Sequence, residues 1–214
     1  MISLNNYITE KLNINKSKLK NGPECTLFPE TMEELADMIK KEIEQNGKNC
    51  SLNHIDTNKI TDMSFLFAKG AKFGLSNFNG DISNWDVSNV TDMGHMFAHS
   101  DFNGNISDWD VSNVKNMHTM FMCSLFDGDL SRWNVSNVYD MGGMFYDSKY
   151  TGKNGSIGDW DISNVETMES MFKDSNFNGD ISSWTIDGNF CDYHFMFAGC
   201  KKLEQKHYPT INHK

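Results

Sequence analysis

The sequence predicts an α/β repeat solenoid with an N-terminal α-helical cap, in which each coil of about 24 residues holds one short strand and one short helix. Three observations support this class: a phrase that recurs along the chain, a tryptophan in every full copy, and an apolar pattern that changes period within each copy. A repeat of this length is too small to bury its own apolar face, so we expect successive copies to stack.

The recurring phrase is clearest in the first full copy, residues 81–97, which reads DISNWDVSNVTDMGHMF. Further copies cover residues 105–121, 129–145 and 156–172, with divergent ones at 55–67 and 180–197. Successive tryptophans are 24, 24, 27 and 24 residues apart: Trp85, Trp109, Trp133, Trp160 and Trp184. This spacing predicts about six coils with one column of stacked, structural tryptophans.

The apolar pattern changes inside each copy. In the first full copy Trp85 and Val87 alternate with polar residues, as in a short strand. Val90, Met93 and Phe97 then recur at spacings of three and four, which suit one or two helical turns. An Asn-Gly pair just before the copy predicts a tight turn. We therefore expect strand, corner, short helix and turn in each coil, with the Trp, Val and Met-Phe positions pointing inward.

One asparagine also recurs in each full copy at a corner of the predicted coil. Amides stacked in register can bond one another and the backbone groups that a bend leaves open. We expect a structural ladder from Asn89, Asn113, Asn137 and Asn164. A neighbouring aspartate column suggests calcium, but Asn134 and Thr185 interrupt it and no calcium-binding loop pattern is present, so we predict no metal.

The N-terminal part divides into two predicted segments. Residues 1–20 form a helix or leader, which is either docked on the domain or a detachable tag. Residues 21–50 hold a linker and a capping helix, whose Thr31 and Glu34 form a capping box at the start of an apolar stripe. We expect this helix to cover the edge of the first coil, and partner binding is the alternative. The solenoid then covers 51–200 and a tail covers 201–214.

The composition excludes several classes of function. The chain carries 19 Lys and Arg residues against 29 Asp and Glu, a net charge of −10. Nucleic acid and anionic membranes are poor partners for it, because phosphate neutralisation supplies most of such affinity. The five cysteines are odd in number and lack a C-x-x-C pair, which favours a reducing compartment. Without a signal-peptide pattern or an apolar run of about 18 residues, the sequence predicts a cytoplasmic protein with no membrane insertion.

Motifs of catalysis are absent from the sequence, which contains no nucleophile elbow, Walker loop, zinc-protease helix or dinucleotide fingerprint. His95, His99 and His118 would be neighbours in stacked copies and could bind zinc, but they also fit solvent-facing positions. We therefore predict a protein that is not an enzyme and needs no cofactor.

Positions that vary between copies are the candidates for partner contact. The third full copy, residues 129–145, is unusual because arginine and tyrosine, which are enriched at binding hot spots, occupy its variable positions. The stretch 149–155 adds three residues directly after it, and longer loops often carry recognition. The predicted partner-binding patch consists of Arg132, Tyr139, Tyr146, Lys149, Tyr150 and Lys153. A solvated edge is the alternative interpretation.

These phrases, with Met-Phe closing each unit, closely resemble the DUF285-type, BspA-like leucine-rich repeat of bacterial surface proteins and lipoproteins. The resemblance covers roughly Ile55 to Cys200 and implies a curved solenoid used for binding. Many relatives carry a cysteine three residues after the phenylalanine. Here Cys200 matches and serines fill the other copies, which implies a small buried position. The asparagine is also one residue early for the standard register, so the coil geometry is expected to differ.

The opening residues, SLNNYITEKLNINK, resemble the leader of assorted proteins from large tailed phages of gut bacteria. That resemblance implies a virion or infected-cell protein, in the virion or the host cytoplasm, with the leader as a docking tag.

The leading functional hypothesis is a non-catalytic protein–protein interaction module, in one form a phage-encoded virion or host-interacting factor. A bacterial surface adhesion module that binds a host protein or glycan is the first alternative, and it requires export. A metal- or small-molecule-binding protein is the second, and it requires a polar pocket. The sequence does not identify the partner or the oligomeric state.

Overall fold

Residues 25–212 are described by the computed structural model. Within them lie one α-helix, α1 (Met32–Asn46), and two strands, β1 (Thr185–Asp187) and β2 (Thr210–Asn212). A short 3-10 helix covers Gln205–His207. The two strands pair in parallel. Most of the remaining chain consists of turns whose hydrogen bonds connect one copy to the next.

Helix α1 begins where the sequence predicts a capping box. The Thr31 hydroxyl accepts the backbone N–H of Glu34 at 3.2 Å, and the Glu34 carboxylate accepts the N–H of Glu30 at 2.8 Å. The helix ends at Gly47, whose φ of +84° lies in the range that favours glycine. Leu35, Ala36 and Ile39 are fully buried and belong to the same apolar core as the repeats.

The repeat copies lie side by side in parallel register. Single parallel bridges connect Asp62, Asp92, Asn116, Asp140, Thr167 and Asp192 in succession. Beyond each bridge every second amide donates to the next copy, so that Met93, His95, Phe97 and His99 bond to the carbonyls of Asn116, His118, Met120 and Met122 at 2.7–2.9 Å. We call this surface the ladder face: residues 63–69, 93–99, 117–123, 141–147, 168–174 and 193–199. We keep the solenoid as our proposal for the architecture, on the basis of this register.

Turns replace the short helix that the apolar spacing predicted in each coil. In the first full copy the amides of Met96 and Ala98 bond to carbonyls three residues back, at Met93 and His95. His95 and His99 have φ of +59° and +54°, and a left-handed residue interrupts an α-helix. Consecutive turns therefore produce the same spacing of buried residues that a helix would. The strand predicted after each tryptophan is present only in the last copy, as β1, among the residues that the structure describes.

The tryptophans lie in successive copies and are at most 5% exposed. Each indole N–H donates to a backbone carbonyl of the preceding copy at 3.0–3.1 Å, with Leu52, Ile82, Ile106, Leu130 and Ile157 as acceptors. The rings of Trp85 and Trp109 are 6.4 Å apart and nearly parallel. A second column runs from Phe67 to Phe97 and onward with centroids 5.4–5.9 Å apart, through Phe121, Phe145, Phe172 and Phe197.

The recurring asparagines bond to backbone rather than to one another. Each side-chain amide donates to a carbonyl of the preceding copy at 2.7 Å. The donors are Asn89, Asn113, Asn137 and Asn164, and the acceptors are Asn58, Ser88, Ser112 and Ser136. The serines three residues after each closing phenylalanine are buried, as is Cys200.

The described part of the predicted tail packs against the last copy. Leu203 is buried, and β2 pairs with β1 in the register Thr185 to Thr210. The predicted N-terminal leader, residues 1–20, and the first four residues of the predicted linker lie outside the described residues.

Candidate interaction surfaces

Arg132 lies on the surface beside the buried tryptophan of its copy. Its guanidinium is 2.5 Å from the Asp108 carboxylate and donates to the Ser107 hydroxyl at 2.8 Å. Arg132 also lines an open cavity of about 300 Å³ with Asp110 and Asn134. Since more than half of each paired side chain is exposed, the ion pair contributes little to stability and can be rearranged by a partner. Tyr139 and Tyr146 do not line this cavity.

Tyr139 is 45% exposed although both of its backbone groups are held. Its amide donates to the Lys115 carbonyl at 2.9 Å, and its own carbonyl accepts the amide of Glu166 at 2.8 Å. The equivalent positions in the neighbouring copies are the polar residues Thr91, Lys115 and Glu166. An aromatic ring is thus presented to solvent from a rigid backbone.

Tyr146 is half-buried on the ladder face, where the Lys173 ammonium lies 5.4 Å from its ring centre. The same ammonium lies 5.9 Å from the ring of Phe195, so Lys173 connects two aromatic side chains. Lys149 and Lys153 are exposed. The assignment of these residues as a partner-binding patch stays a prediction.

Tyr150 must be removed from the predicted patch, because it is fully buried. Its ring stacks 4.2 Å from Phe145 and lies 6.4 Å from Phe126 and 6.1 Å from Phe177. Burial raises the pKa of the Tyr150 phenol far above its ordinary value, and the nearby Asp127 adds to this effect. Tyr150 occupies the phenylalanine position of its copy, 24 residues after Phe126, and the sequence carried that signal. The three-residue insertion therefore begins after Tyr150.

A row of rings on the ladder face was missed by the sequence reasoning. Phe65 is 46% exposed and stacks on His95, with centroids 4.3 Å apart and planes within 13°. His95 meets the edge of His118 at 5.3 Å. Phe65 also has a φ of +61°, a left-handed conformation that costs a bulky residue about 1 kcal/mol. Gly143 occupies the equivalent position in the third full copy, so exposure and strain coincide at Phe65 without any need of the backbone.

The histidines of this row are engaged with neighbouring side chains. His118 Nδ1 is 3.2 Å from an Asp140 carboxylate oxygen, and His95 Nδ1 is 2.5 Å from the Thr119 hydroxyl. Burial lowers the pKa of His95, and the neighbouring His118 lowers it further. Within residues 25–212 no group of three or more His, Cys, Asp or Glu side chains is placed to hold a metal ion.

An open cavity of about 660 Å³ adjoins this row, between the start of α1 and the ladder face. Met32, Phe65 and Phe73 form its apolar walls. Its charged residues are Glu33, Asp62, Lys69 and Lys72. We call this cavity the N-terminal groove. Its lining residues are far apart in sequence, so periodicity gave no indication of it.

Comparison with known proteins places the chain in a family. The family model described as "Mycoplasma protein of unknown function, DUF285" matches residues 32–154 and 123–210. These matches cover most of the chain, and the protein belongs to the DUF285 family. Neither the curated proteins nor the solved structures provide a match. Among residues 25–212, no helix has the length and apolar character needed to cross a bilayer.

Proposed function

We propose that the protein is a non-catalytic protein–protein interaction module that binds its partner through the exposed variable positions of the third full copy. The observation that carries this proposal is Tyr139, whose ring is 45% exposed at a position where neighbouring copies carry polar residues. Tyrosine and arginine provide a large share of binding energy in protein interfaces. Arg132 belongs to the same copy and is also exposed.

The scaffold behind these side chains supports the proposal. Backbone bonds on both sides hold Tyr139, so little conformational entropy is lost when a partner covers the ring. The net charge of −10 disfavours nucleic acid as the partner. The resemblance of the opening residues to phage leaders suggests the finer form, a phage-encoded virion or host-interacting factor.

Glycan adhesion is a second candidate, which the cavity beside Arg132 favours. Arg132, Asp108 and Asn134 place donors and acceptors around a space of about 300 Å³. Sugar hydroxyls can use such groups, whereas a protein interface would be centred on the Tyr139 ring.

The test uses substitutions taken from the chain's own repeats, which preserve the coil. Tyr139→Thr and Arg132→Asn introduce the residues that the first full copy carries at Thr91 and Asn84. Proteins captured from bacterial lysate by the wild type would be identified by mass spectrometry, and the binding of each purified protein would then be measured by calorimetry. We expect the double variant to raise the Kd at least tenfold.

The matched control is Glu166→Thr, at the Tyr139 position of the next copy, and we expect it to change the Kd less than twofold. Equal binding by the wild type and the double variant would contradict a site in the third full copy. Saturable binding of a glycan that Arg132→Asn abolishes, without any captured protein, would favour the adhesion alternative.

A further inference from the structure

The N-terminal groove combines an exposed ring with a charge that has no counterpart. Phe65 forms one wall and remains 46% exposed even though it stacks on His95. Phe73 is 8% exposed and Met32 is partly buried, so the apolar surface continues from the ladder face to the start of α1. An apolar cavity that opens beside an exposed aromatic row is typical of a site that another molecule covers.

Three of the four charged groups in the groove already have partners. The Lys72 ammonium is 2.6 Å from the Glu33 carboxylate and lies 4.8 Å from the Phe73 ring centre. The Asp62 carboxylate accepts the backbone N–H of Ser64 at 2.8 Å. Within residues 25–212 the exposed Lys69 ammonium has no acidic partner within ion-pair distance. The charge that the groove lacks is therefore negative.

We propose that the N-terminal groove is a docking site for a segment of a partner protein that carries a large apolar side chain next to an Asp or Glu. The apolar side chain packs between Phe65 and Phe73, and the carboxylate pairs with Lys69. Lys69 is well placed for this pairing, because its backbone amide is fixed by the Ala98 carbonyl at 3.0 Å. A second site here extends the proposed function, and it rests on that function only in taking a protein as the partner.

The backbone offers matched variants for a test. Phe65 and Phe195 occupy the same position in the first and last copies, both exposed and both left-handed, with φ of +61° and +56°. Glycine accepts this conformation freely, so Phe65→Gly and Phe195→Gly each remove a ring without straining the fold. Lys69→Gln removes the charge and keeps the length of the side chain.

The probe is the capped peptide Gly-Glu-Phe-Glu-Gly, titrated to millimolar concentration into the full ¹⁵N-labelled chain and followed by amide chemical shifts. We expect saturable shifts at Phe65, Lys69 and Phe73, and at least fivefold weaker binding of Gly-Lys-Phe-Lys-Gly and Gly-Glu-Ser-Glu-Gly. Lys69→Gln should weaken binding at least threefold, Phe65→Gly should abolish it, and Phe195→Gly should leave it unchanged.

Several results would overturn the proposal: no saturable shift, equal binding of the acidic and basic peptides, or an equal loss in Phe195→Gly. The variant carrying Tyr139→Thr and Arg132→Asn is expected to bind the peptide like the wild type. Peptide binding by this variant, together with failure of the capture experiment, would refute the third-copy site alone and leave the groove standing.

Discussion

Left-handed residues recur at one position of every copy. Phe65, His95, Thr119, Gly143, Ser170 and Phe195 all have φ between +49° and +61°. Glycine alone adopts this conformation without cost, so five of the six copies accept local strain. The ladder compensates for it, because the amide of each of the first five donates to the following copy at 2.8–3.0 Å.

Tyr150 provides a test at the scale of a single atom. Its hydroxyl is buried and has no hydrogen-bond partner among the described residues. Because an unpaired buried hydroxyl costs about 1–3 kcal/mol, we expect Tyr150→Phe to raise the free energy of unfolding by about 1 kcal/mol. Urea unfolding at equilibrium would measure this change.

The control for Tyr150 is the reverse substitution in the preceding copy, Phe126→Tyr. It buries a new hydroxyl at the equivalent position and should lower the free energy of unfolding by a similar amount. A loss of stability in Tyr150→Phe would instead mean that the hydroxyl is paired, for example with an ordered water.

Among the elements, the repeated turn is the one that pH can reach. In several turns an aspartate carboxylate accepts the backbone N–H two residues further on, as Asp161 does from Ser163 at 3.0 Å. The Ser163 hydroxyl and amide hold the pKa of Asp161 below its ordinary value. The amides of Ser131 and His194 similarly lower the pKa of Asp129 and Asp192.

These turns predict acid sensitivity with a definite sign. The folded pKa values lie below the unfolded value of about 3.9, so the stabilisation is complete above about pH 4 and is lost as the pH falls through the folded values. We expect the urea midpoint to be nearly constant between pH 7 and pH 5 and to fall below pH 4 as these groups titrate.

Asp161→Asn is the matched control for this prediction. Asn134 already forms the same turn in the preceding copy, where its side-chain oxygen accepts the Ser136 amide at 3.2 Å. The variant should therefore fold normally and lose less stability in acid than the wild type. An unchanged pH dependence would show that Asp161 makes no contribution to it.

For the whole molecule, stability depends on contact between neighbouring copies. Phe121 stacks between Phe97 and Phe145, at 5.5 and 5.7 Å, whereas Phe197 at the end of the column meets Phe172 at 5.9 Å and is only half-buried. We expect Phe121→Ala to lower the free energy of unfolding by about 3–5 kcal/mol. Phe197→Ala should cost less than half as much, and equal losses in urea unfolding would contradict the nearest-neighbour account.

The period of the chain was informative about burial and misleading about local conformation. It predicted where the tryptophans and the corner asparagines lie, because residues at equal positions in stacked copies must meet. It failed between Val90 and Ser100, where turns and a helix bury the same residues and give the same apolar spacing. At Tyr150 the loop composition outweighed a regular interval that marked a core position.

Family, register and the identity of the buried columns can all be read from the order of residues alone, since an imperfect repeat states which side chains share an environment. The left-handed turns and the N-terminal groove follow only from the folded chain. Hydrogen bonds between copies impose the first, and the approach of α1 to Phe65 and Phe73 creates the second. Both depend on contacts between segments that a local pattern does not encode.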